Sequence, residues 1–392
     1  MARTQVGIVG AGPSGLLLAH LLHERGIESV VLENRTEEYV IARVRAGVLE
    51  QGVVDVFRAA GLSGRLEAEG LVHHGIELRF QGKGHRIAMS ELTDGRTITI
   101  YGQNRVVEDL VAARRSAGGP LLYEVSDVSL HDLAGARPTI RYVHEGREET
   151  LECDFVAGCD GFHGVSRASI PAGVLTEYER VYPFGWLGIL AQVAPSTEEL
   201  VYAYHERGFA LHSLRSAEVS RLYIQVPAGE EVEAWPDDQI WSELHTRLAR
   251  DDGWTLREGP VLEKGVAALR SFVAEPMCFG RLFLAGDAAH IVPPTGAKGL
   301  NLAVADVTVL ARALEDFYAT GSDAGLDAYS DTCLRRVWQG ERFSWQMTSM
   351  LHRFPEEGPF GARLQLAQLE QVVSSRAAAT ALSESYVGLP IL

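Results

Sequence analysis

Three glycines near the start of the chain have the spacing needed to hold a phosphate group. Gly10-x-Gly12-x-x-Gly15 follows residues 5–9, an apolar run typical of a strand, and precedes residues 16–24, which are typical of a helix. Glycines there permit a tight turn, close approach of the backbone to a pyrophosphate, and close packing of helix on strand. The helix N-terminus adds N–H donors and a partial positive charge. The pattern predicts dinucleotide binding, although a glycine-rich turn that binds no ligand could have the same sequence.

An acidic residue follows the next predicted strand. Val30-Val31-Leu32 is typical of a buried strand, and Glu33 stands at its end. A carboxylate at this place can accept hydrogen bonds from the hydroxyl groups of a ribose. Strand, helix and acid in this order favour a βαβ nucleotide site, but they do not distinguish FAD from NAD.

Two later segments have similar chemistry. Gly286-Asp287-Ala288-Ala289-His290 follows the apolar residues 282–285, and Gly296-x-x-Gly299-Leu300-Asn301 opens a helical pattern. Asp287 could bind a ribitol or ribose hydroxyl, and a helix beginning near Gly299 could face negative charge that develops on a ring. Asp160-Gly161, by itself, is an ordinary turn pair.

The composition excludes several classes of partner. The 392 residues have a formal net charge of −16, whereas nucleic-acid binding draws most of its affinity from Lys and Arg. The same charge disfavours an anionic membrane surface, and an anionic substrate would need a local basic site. No stretch reaches the roughly 20 apolar residues of a membrane span, so we predict a cytoplasmic protein without a membrane partner.

The cysteines show neither a paired motif nor zinc-ligand spacing. Cys153, Cys159, Cys278 and Cys333 lie in apolar surroundings. We therefore expect reduced, buried thiols and no metal site.

The chain is typical of a mixed α/β protein with two regions. A Rossmann-like nucleotide-binding domain is interrupted by an antiparallel β-sheet lobe, because residues 76–101 and 181–226 alternate in short runs typical of strands. Residues 236–248, 301–317 and 334–352 are typical of helices. The predicted division is the nucleotide domain over 1–75, 100–180 and 268–300, the substrate lobe over 76–99 and 181–267, and a C-terminal helical region over 301–392.

The three glycine-containing segments together resemble those of the single-component FAD-dependent aromatic hydroxylases. Longer strings narrow the resemblance to members that act on 4-hydroxybenzoate: RVRAGVLEQG at 43–52, YPFGW at 182–186, PPTGAKGLN at 293–301 and YVGLP at 386–390. The resemblance extends from Val6 to Pro390. It implies bound FAD, NADH or NADPH as reductant, addition of O₂ at the flavin C4a, hydroxylation of 4-hydroxybenzoate to 3,4-dihydroxybenzoate, and a homodimer.

Matching of local motifs transfers the FAD contacts of the family to this chain. The residues implied are Gly10, Gly12, Pro13, Ser14, Gly15, Glu33, Arg43, Arg45, Gln103, Asp160, Asp287, Gly299, Leu300 and Asn301.

The resemblance also implies a site for the substrate carboxylate at Ser213, Arg215 and Tyr223. Arginine offers a bidentate fork to a carboxylate, and two hydroxyls can satisfy its remaining lone pairs. Such a site would provide the local positive charge that the acidic protein requires. Without the resemblance, Arg215 would be interpreted as a surface or ion-pair residue.

Tyr202 and Tyr386 resemble the pair that handles the substrate phenol. Since a phenol has a pKa of about 10, a hydrogen-bonded relay that removes its proton makes the ortho carbon a better nucleophile. His73 resembles the outer end of that relay, and the Pro294 carbonyl and Asn301 resemble contacts to the substrate hydroxyl and the flavin. Taken alone, the tyrosines would be a packed strand aromatic and a C-terminal anchor.

The nicotinamide contacts implied are Asn34, Arg35, Tyr39, Arg45, His163 and Arg270. Arg43, Arg45, His163 and Arg270 could instead form structural ion pairs. In the NADPH-selective pattern an arginine directly follows the ribose-binding acid, but Asn34 stands there. Glu37 and Glu38 would repel a 2′-phosphate, so we predict that NADH serves at least as well as NADPH.

Three alternatives remain open. The first is a hydroxylase for another hydroxy- or aminobenzoate. The second is a flavin-binding protein without turnover, such as a redox sensor or a partner-docking module. The third is a simple NAD-dependent dehydrogenase, which would hold no yellow cofactor.

Overall fold

The computed structural model describes residues 2–43 and 47–391. The strands are β1 (Ala2–Val9), β2 (Ser29–Leu32), β3 (Val48–Glu50), β4 (Leu71–His73), β5 (Ile76–Phe80), β6 (Lys83–Ile87), β7 (Ile98–Ile100), β8 (Leu121–Leu122), β9 (Ser126–His131), β10 (Thr139–His144), β11 (Arg147–Gly158), β12 (Thr176–Ala191), β13 (Val201–Ala203), β14 (Ala210–Leu214), β15 (Ser220–Pro227), β16 (Val261–Glu275), β17 (Cys278–Phe279), β18 (Leu282–Leu284) and β19 (His290–Ile291).

The helices surround and connect these strands. They are α1 (Pro13–His23), α2 (Glu37–Ala42), α3 (Gln51–Ala59), α4 (Gly64–Glu69), α5 (Met89–Leu92), α6 (Gln103–Ser116), α7 (Val165–Ala168), α8 (Asp237–Arg247), α9 (Gly299–Thr320), α10 (Ala324–Asp327), α11 (Tyr329–Leu351), α12 (Gly358–Ser374) and α13 (Arg376–Val387).

The first sheet is the nucleotide-binding layer. Its order is β17-β18-β11-β1-β2-β8, with β9 and β10 added beside β11. The pairs β1–β2, β1–β11, β11–β18 and β2–β8 are parallel. Apolar side chains cover both faces of such a sheet, and α1 contacts both α6 and α9. The predicted α/β class with a Rossmann-like βαβ unit is confirmed.

The second sheet has the order β19-β16-β12-β15-β14-β13-β5-β6. Its pairs are antiparallel apart from β13–β5. Strands predicted within residues 181–226 are confirmed, among them β13 and β15, and the helix predicted at 236–248 is confirmed as α8. The expected boundaries at residues 180 and 267 fall inside β12 and β16, because these two strands pair along most of their length.

The C-terminal helices do not form a separate layer. Both predicted helices are present and are longer than expected, as α9 and α11. The apolar side chains of α9 join the core of the first sheet. Phe343, Met347 and Met350 of α11 instead join a second core with Tyr202 and Tyr386. The helices therefore connect the two sheets on the side where the candidate site lies.

The remaining expectations of the sequence concern thiols and membranes. All four cysteines are free; Cys278 is only partly buried and the other three are buried. Within residues 2–43 and 47–391, no helix has both the length and the apolarity needed to cross a membrane.

Candidate active site

The loop between β1 and α1 has the shape of a phosphate cradle. Gly10 has φ of 103°, and a Cβ there would lie 2.4 Å from the carbonyl oxygen of Cys159. A Cβ added at Gly12, by contrast, would meet no described atom within 4 Å. Pro13 then begins the helix and Ser14 is buried in its first turn. The open space in front of Gly12 and the helix N-terminus fit the pyrophosphate of a dinucleotide.

Glu33 fixes the same loop. Its Oε2 accepts a hydrogen bond from the Ala11 N–H at 2.7 Å, and its Oε1 accepts one from the Arg35 N–H at 2.9 Å. Each carboxylate oxygen has two lone pairs, so acceptor capacity remains for ribose hydroxyls.

Asp160 presents an unused acceptor next to the glycine loop. Its Oδ2 accepts hydrogen bonds from the Ser166 N–H at 2.9 Å and from its Oγ at 3.0 Å. Its Oδ1 is buried and has no hydrogen-bond partner in the described part of the chain. Burial raises the pKa of this carboxyl group. A buried acceptor of this kind fits a hydroxyl-bearing ligand.

The segment that begins at Gly286 meets the first loop. A Cβ on Gly286 would lie 2.7 Å from Oγ of Ser14, so the two segments are in direct contact at Gly286. Asp287, the next residue, is half-buried beside this contact. Asp306 holds the turn, because its Oδ2 accepts from the Gly286 N–H at 3.0 Å and lies 2.6 Å from Nε2 of His290. The three glycine-containing segments therefore converge around one space, which fits FAD.

The first turn of α9 is fixed by Asn301. Its Oδ1 accepts from the Glu50 N–H at 2.9 Å, and its Nδ2 donates to the carbonyls of Val48 and Ala297 at 2.9 and 2.7 Å. The side-chain amide thus joins α9 to β3. Gly299 and Leu300, which precede it, are half-buried at the helix start.

Pro294 lies in the 3₁₀ turn before α9. Its ring is exposed, and its carbonyl accepts a hydrogen bond from the Ala297 N–H at 3.0 Å. A carbonyl oxygen has a second lone pair, so a contact with a ligand hydroxyl remains compatible with this turn.

The predicted substrate residues share one face of the second sheet. In the strand register Tyr202 lies opposite Leu211, which lies opposite Tyr223. Ser213, two residues after Leu211, is on that same face because side chains alternate along a strand. Arg221 is also on it and donates from Nε to the Tyr223 hydroxyl oxygen at 3.1 Å. The Tyr223 proton is thereby left to donate elsewhere.

Arg215 continues this face beyond the end of β14. Its backbone N–H donates to the Val219 carbonyl at 3.0 Å, and burial lowers the pKa of its guanidinium. Its Nη2 donates to Oδ1 of Asn104 at 2.5 Å. Asn104 was not predicted from the sequence, since only the folded chain brings the start of α6 to this strand.

The hydroxyls of Tyr202 and Tyr386 are hydrogen-bonded to each other. Both side chains are at most 2% exposed, and burial raises the pKa of both phenols. Phe209 packs on the ring of Tyr202, and Phe343 packs on that of Tyr386. The pair thus has few neighbours that can hydrate it, which suits the transfer of a single proton.

His73 is buried, whereas His74 is exposed. Nδ1 of His73 accepts a weak hydrogen bond from the Leu200 N–H at 3.4 Å, two residues before Tyr202. Its Nε2 has no partner among residues 2–43 and 47–391. Burial lowers the pKa of His73 to about 4, so the ring is neutral at neutral pH.

The predicted nicotinamide residues fall into two groups. Arg270 lies 4.7 Å from the ring centroid of Phe162, which also contacts His163. Arg270 pairs in addition with Glu179 at 3.3 Å. Arg35 lies over the ring of Tyr39 at 5.1 Å.

The other predicted cofactor residues lie at helix ends. Asn34 is exposed before α2, and Arg43 is the exposed residue that ends it. Gln103 is the first residue of α6. Arg45 lies outside the described residues.

A buried charge cluster beside Tyr386 was also missed by sequence reasoning. Nζ of Lys298 lies 2.6 Å from Oε1 of Glu50 and 2.9 Å from the Tyr386 carbonyl. Nη2 of Arg336 lies 2.6 Å from the other Glu50 oxygen. The only sequence signal was a lysine inside an otherwise apolar, glycine-rich helix start. In the described ranges, no group of three or more His, Cys, Asp or Glu residues could hold a metal ion.

Comparison with known proteins establishes the family of the chain. Residues 3–344 match the sequence profile of the FAD binding domain family. The chain is 52% identical to a p-hydroxybenzoate hydroxylase from Acinetobacter baylyi over 388 residues, 99% of this chain and 96% of the relative. It is 26% identical to a 3-(3-hydroxy-phenyl)propionate/3-hydroxycinnamic acid hydroxylase from Mycobacterium avium, over 78% of this chain and 54% of the relative.

Solved structures agree with this relationship in their fold. The crystal structure of p-nitrophenol 4-monooxygenase from Pseudomonas putida has a TM-score of 0.84 to this chain at 19% identity, and 99% of both chains is covered. The matched profile and the near full-length relative confirm the resemblance seen in the sequence: the chain belongs to the FAD binding domain family and is an FAD-dependent monooxygenase of the aromatic hydroxylase type.

Proposed function

We propose that this enzyme hydroxylates 4-hydroxybenzoate at the 3-position to 3,4-dihydroxybenzoate, with O₂ and a reduced nicotinamide as co-substrates. The named activity of the 52% identical relative supports the substrate. The observation that carries the proposal is the shared sheet face, on which Tyr202 stands at one end and Ser213 and Arg215 at the other. A phenol and a carboxylate in para positions on one ring match these two ends.

FAD, when bound, supplies the redox chemistry that takes electrons from the nicotinamide and passes one oxygen atom of O₂ to the ring. The residues that would hold it are the loop from Gly10 to Gly15, Glu33, Asp160 and Asp287. Their convergence around one open space supports this role.

In the proposed site Arg215, Ser213 and Tyr223 bind the substrate carboxylate. Arg215 brings the positive charge, and the Tyr223 hydroxyl is oriented to donate because Arg221 occupies its acceptor side. Charge-assisted hydrogen bonds of this kind are about twice as strong as neutral ones. They would orient the ring so that its phenol points towards Tyr202.

Tyr202 and Tyr386 then take the phenol proton. The substrate phenol donates to Tyr202, whose own proton moves to Tyr386 along the hydrogen bond between them. His73 is the proposed outer end of this relay, reached through solvent, where the proton that leaves Tyr386 passes to water; the Pro294 carbonyl is a proposed contact to the substrate hydroxyl and carries no proton. Ionisation raises the electron density at the ring carbon ortho to oxygen, which is the nucleophilic carbon that receives the oxygen atom. The surrounding aromatic side chains exclude bulk water.

We infer that NADH serves at least as well as NADPH. Asn34 lacks the charge that would attract a 2′-phosphate, and Glu38 is exposed beside it. Glu37 forms an ion pair with Arg115. This pair also makes Arg115 less available to bind a 2′-phosphate. His163 and Arg270, around Phe162, are the proposed contacts for the nicotinamide cofactor's phosphates.

A homodimer is proposed from the surface of α11 and α12. Trp338 and Trp345, seven residues apart on α11, are 41% and 45% exposed, and Phe360 and Leu364 of α12 are 76% and 56% exposed. Large aromatic side chains are enriched at interfaces. Sedimentation equilibrium should give a dimer that Leu364→Glu dissociates; a monomeric wild type would overturn this part.

We propose a division into two parts whose limits follow whole strands, because the expected limits at residues 180 and 267 fall inside β12 and β16. The first sheet with α1, α6 and α9 forms the FAD-binding part, the second sheet forms the substrate part, and residues 301–392 contribute to both.

The reaction is tested by oxidation of NADH and of NADPH by the purified holoenzyme, with and without 4-hydroxybenzoate, together with product analysis. Strong stimulation with formation of 3,4-dihydroxybenzoate is expected. Stimulation without a hydroxylated product would make the compound an effector and point to a related hydroxy- or aminobenzoate. Bound FAD without any stimulation would favour a flavin-binding protein without turnover.

A further inference from the structure

The guanidinium of Arg215 lies flat on the first turn of α6. A Cβ on Gly102 would lie 2.6 Å from Cζ, Nη1 and Nη2 of Arg215, so only a residue without a side chain permits this approach. On the same turn, Oδ1 of Asn104 accepts a hydrogen bond from Nη2 of Arg215 at 2.5 Å. Arg215 is thus held from two sides by the residues that begin α6.

The Asn104 contact has a defined orientation. A guanidinium can only donate hydrogen bonds, so the side-chain oxygen of Asn104 must face it. The guanidinium carries five N–H groups in a rigid planar fork, so the bond from one of them to Asn104 sets the direction of the others.

The charges near Arg215 make the neutrality of Asn104 important. Among the ionisable groups that act on Arg215, Arg221 has the largest effect and repels it; Arg105 also repels it, whereas Tyr223 and Glu263 act in the opposite direction. The N-terminus of α6 adds its own partial positive charge. Asn104 does not offset the repulsion by Arg221 and Arg105, since it accepts a hydrogen bond from Arg215 without bringing a negative charge. A neutral Asn104 therefore holds Arg215 without competing with an anionic ligand for its charge.

We propose that Asn104 is a positioning residue that orients Arg215 for a carboxylate ligand, and that its lack of charge reserves Arg215 for the carboxylate of the substrate. This inference rests on the proposed function of the same site. It adds a specificity determinant, carried by α6, to the residues on the second sheet.

The decisive variant is Asn104→Asp, which changes the charge with almost no change in shape. An aspartate would form an ion pair with Arg215 and compete with the substrate carboxylate. We expect the Kd of 4-hydroxybenzoate, measured by titration of flavin absorbance in the holoenzyme, to rise at least tenfold. The Kd of 4-hydroxybenzamide, which has no carboxylate, should change less than threefold. Asn104→Ala, which removes the contact without adding charge, should weaken binding of the acid about threefold.

Ala112→Asp provides the matched control. Ala112 is exposed on the same helix, and eight residues at 1.5 Å each place it about 12 Å further along the axis. This variant should leave both Kd values unchanged.

Each alternative outcome is distinguishable. If the wild type binds 4-hydroxybenzoate and Asn104→Asp binds it equally well, Asn104 has no positioning role. Equal weakening for acid and amide would also overturn the inference, because the loss would then be a general distortion. If Asn104→Asp does not fold, unchanged affinity in Asn104→Ala overturns it instead. A wild type that does not bind 4-hydroxybenzoate would overturn the proposed function, and the inference with it.

Discussion

The hydroxyl groups of Tyr202 and Tyr386 are hydrogen-bonded to each other inside the protein, although 184 residues separate them in the chain. One belongs to β13 of the second sheet and the other to α13, the last helix. Neither phenol ionises readily, since burial raises both pKa values. The pair is therefore suited to pass a proton on and not to hold a negative charge.

Tyr202→Phe should remove the first step of this proton transfer. We expect kcat for hydroxylation to fall at least about 100-fold at neutral pH, within the range for loss of a general acid or base, while the Kd of 4-hydroxybenzoate changes little. Without the relay the substrate phenol ionises by itself, so the remaining rate should rise with pH towards about 10. Stopped-flow measurement of product formation across pH tests this.

Tyr204→Phe is the matched control for Tyr202→Phe. Tyr204 follows β13 and its hydroxyl oxygen accepts from Arg353 at 3.0 Å, so the variant also removes one buried hydroxyl. It should retain near wild-type turnover. Equal losses in the two variants would show that the effect comes from packing of the strand and not from proton transfer.

The positions of these tyrosines illustrate what the sequence could predict. Alternation within residues 181–226 predicted strands in the region of both Tyr202 and Tyr223, and glycine spacing predicted the nucleotide loop, because both patterns are local. The register that sets Tyr202 opposite Leu211, and Leu211 opposite Tyr223, depends on pairing across the sheet. The roles of the individual side chains came only from the family resemblance.

Contacts between segments that are distant in the chain could not be predicted from the sequence. Asp306 in α9 and Asn104 in α6 each satisfy a partner far away in the chain, and neither has a neighbouring motif. The side chain of Asn301, expected beside the flavin, makes three hydrogen bonds to the backbone. A motif match names such a residue but does not show what its polar atoms contact.

Glu50→Gln should strongly destabilise the protein. The change leaves Lys298 buried without its carboxylate partner, and burial already lowers the pKa of this lysine. Breaking a buried ion pair from one side costs about 3–5 kcal/mol. We expect a loss of about that size in the free energy of unfolding, measured by urea denaturation of the FAD-saturated protein.

The double variant Glu50→Gln/Lys298→Met should recover part of that loss, since it removes both charges of the most buried pair and leaves only the less buried Arg336 without its carboxylate. Lys264→Met is the surface control, because Lys264 pairs with Asp237 at 2.7 Å where both side chains are partly exposed. Its effect should be about 0–1 kcal/mol. If the double variant is no more stable than Glu50→Gln alone, the buried lysine is not the source of the destabilisation.

Asn34→Arg should raise kcat/KM for NADPH about fivefold relative to NADH. The added guanidinium would directly follow Glu33 and could pair with a 2′-phosphate, and about 1 kcal/mol corresponds to such a ratio. Asn34→Gln, of similar length without charge, should leave the ratio unchanged. A wild-type enzyme that favours NADPH tenfold or more would contradict the interpretation of this helix.

His352 should make the stability of the protein depend on pH. Its ring is stacked on Phe184 and Phe209, and its Nε2 accepts from the Trp186 indole N–H at 2.6 Å. Burial lowers the pKa of His352 to about 3, against about 6.5 in the unfolded chain. The native state therefore keeps the ring neutral under conditions in which the unfolded chain binds a proton.

The sign of the effect follows from this difference. The stabilisation is complete above about pH 6.5, and it is lost progressively as the pH falls towards 3, because only the unfolded chain gains a proton in that window. One such proton contributes a slope of about 1.4 kcal/mol per pH unit. In His352→Phe the slope of the unfolding free energy between pH 6 and 4 should be smaller by about that amount, whatever the absolute stability of the variant. His23→Gln, which removes an exposed imidazole, should keep the wild-type slope. A slope in His352→Phe that equals that of the wild type would mean that His352 is protonated in the native state as readily as in the unfolded chain.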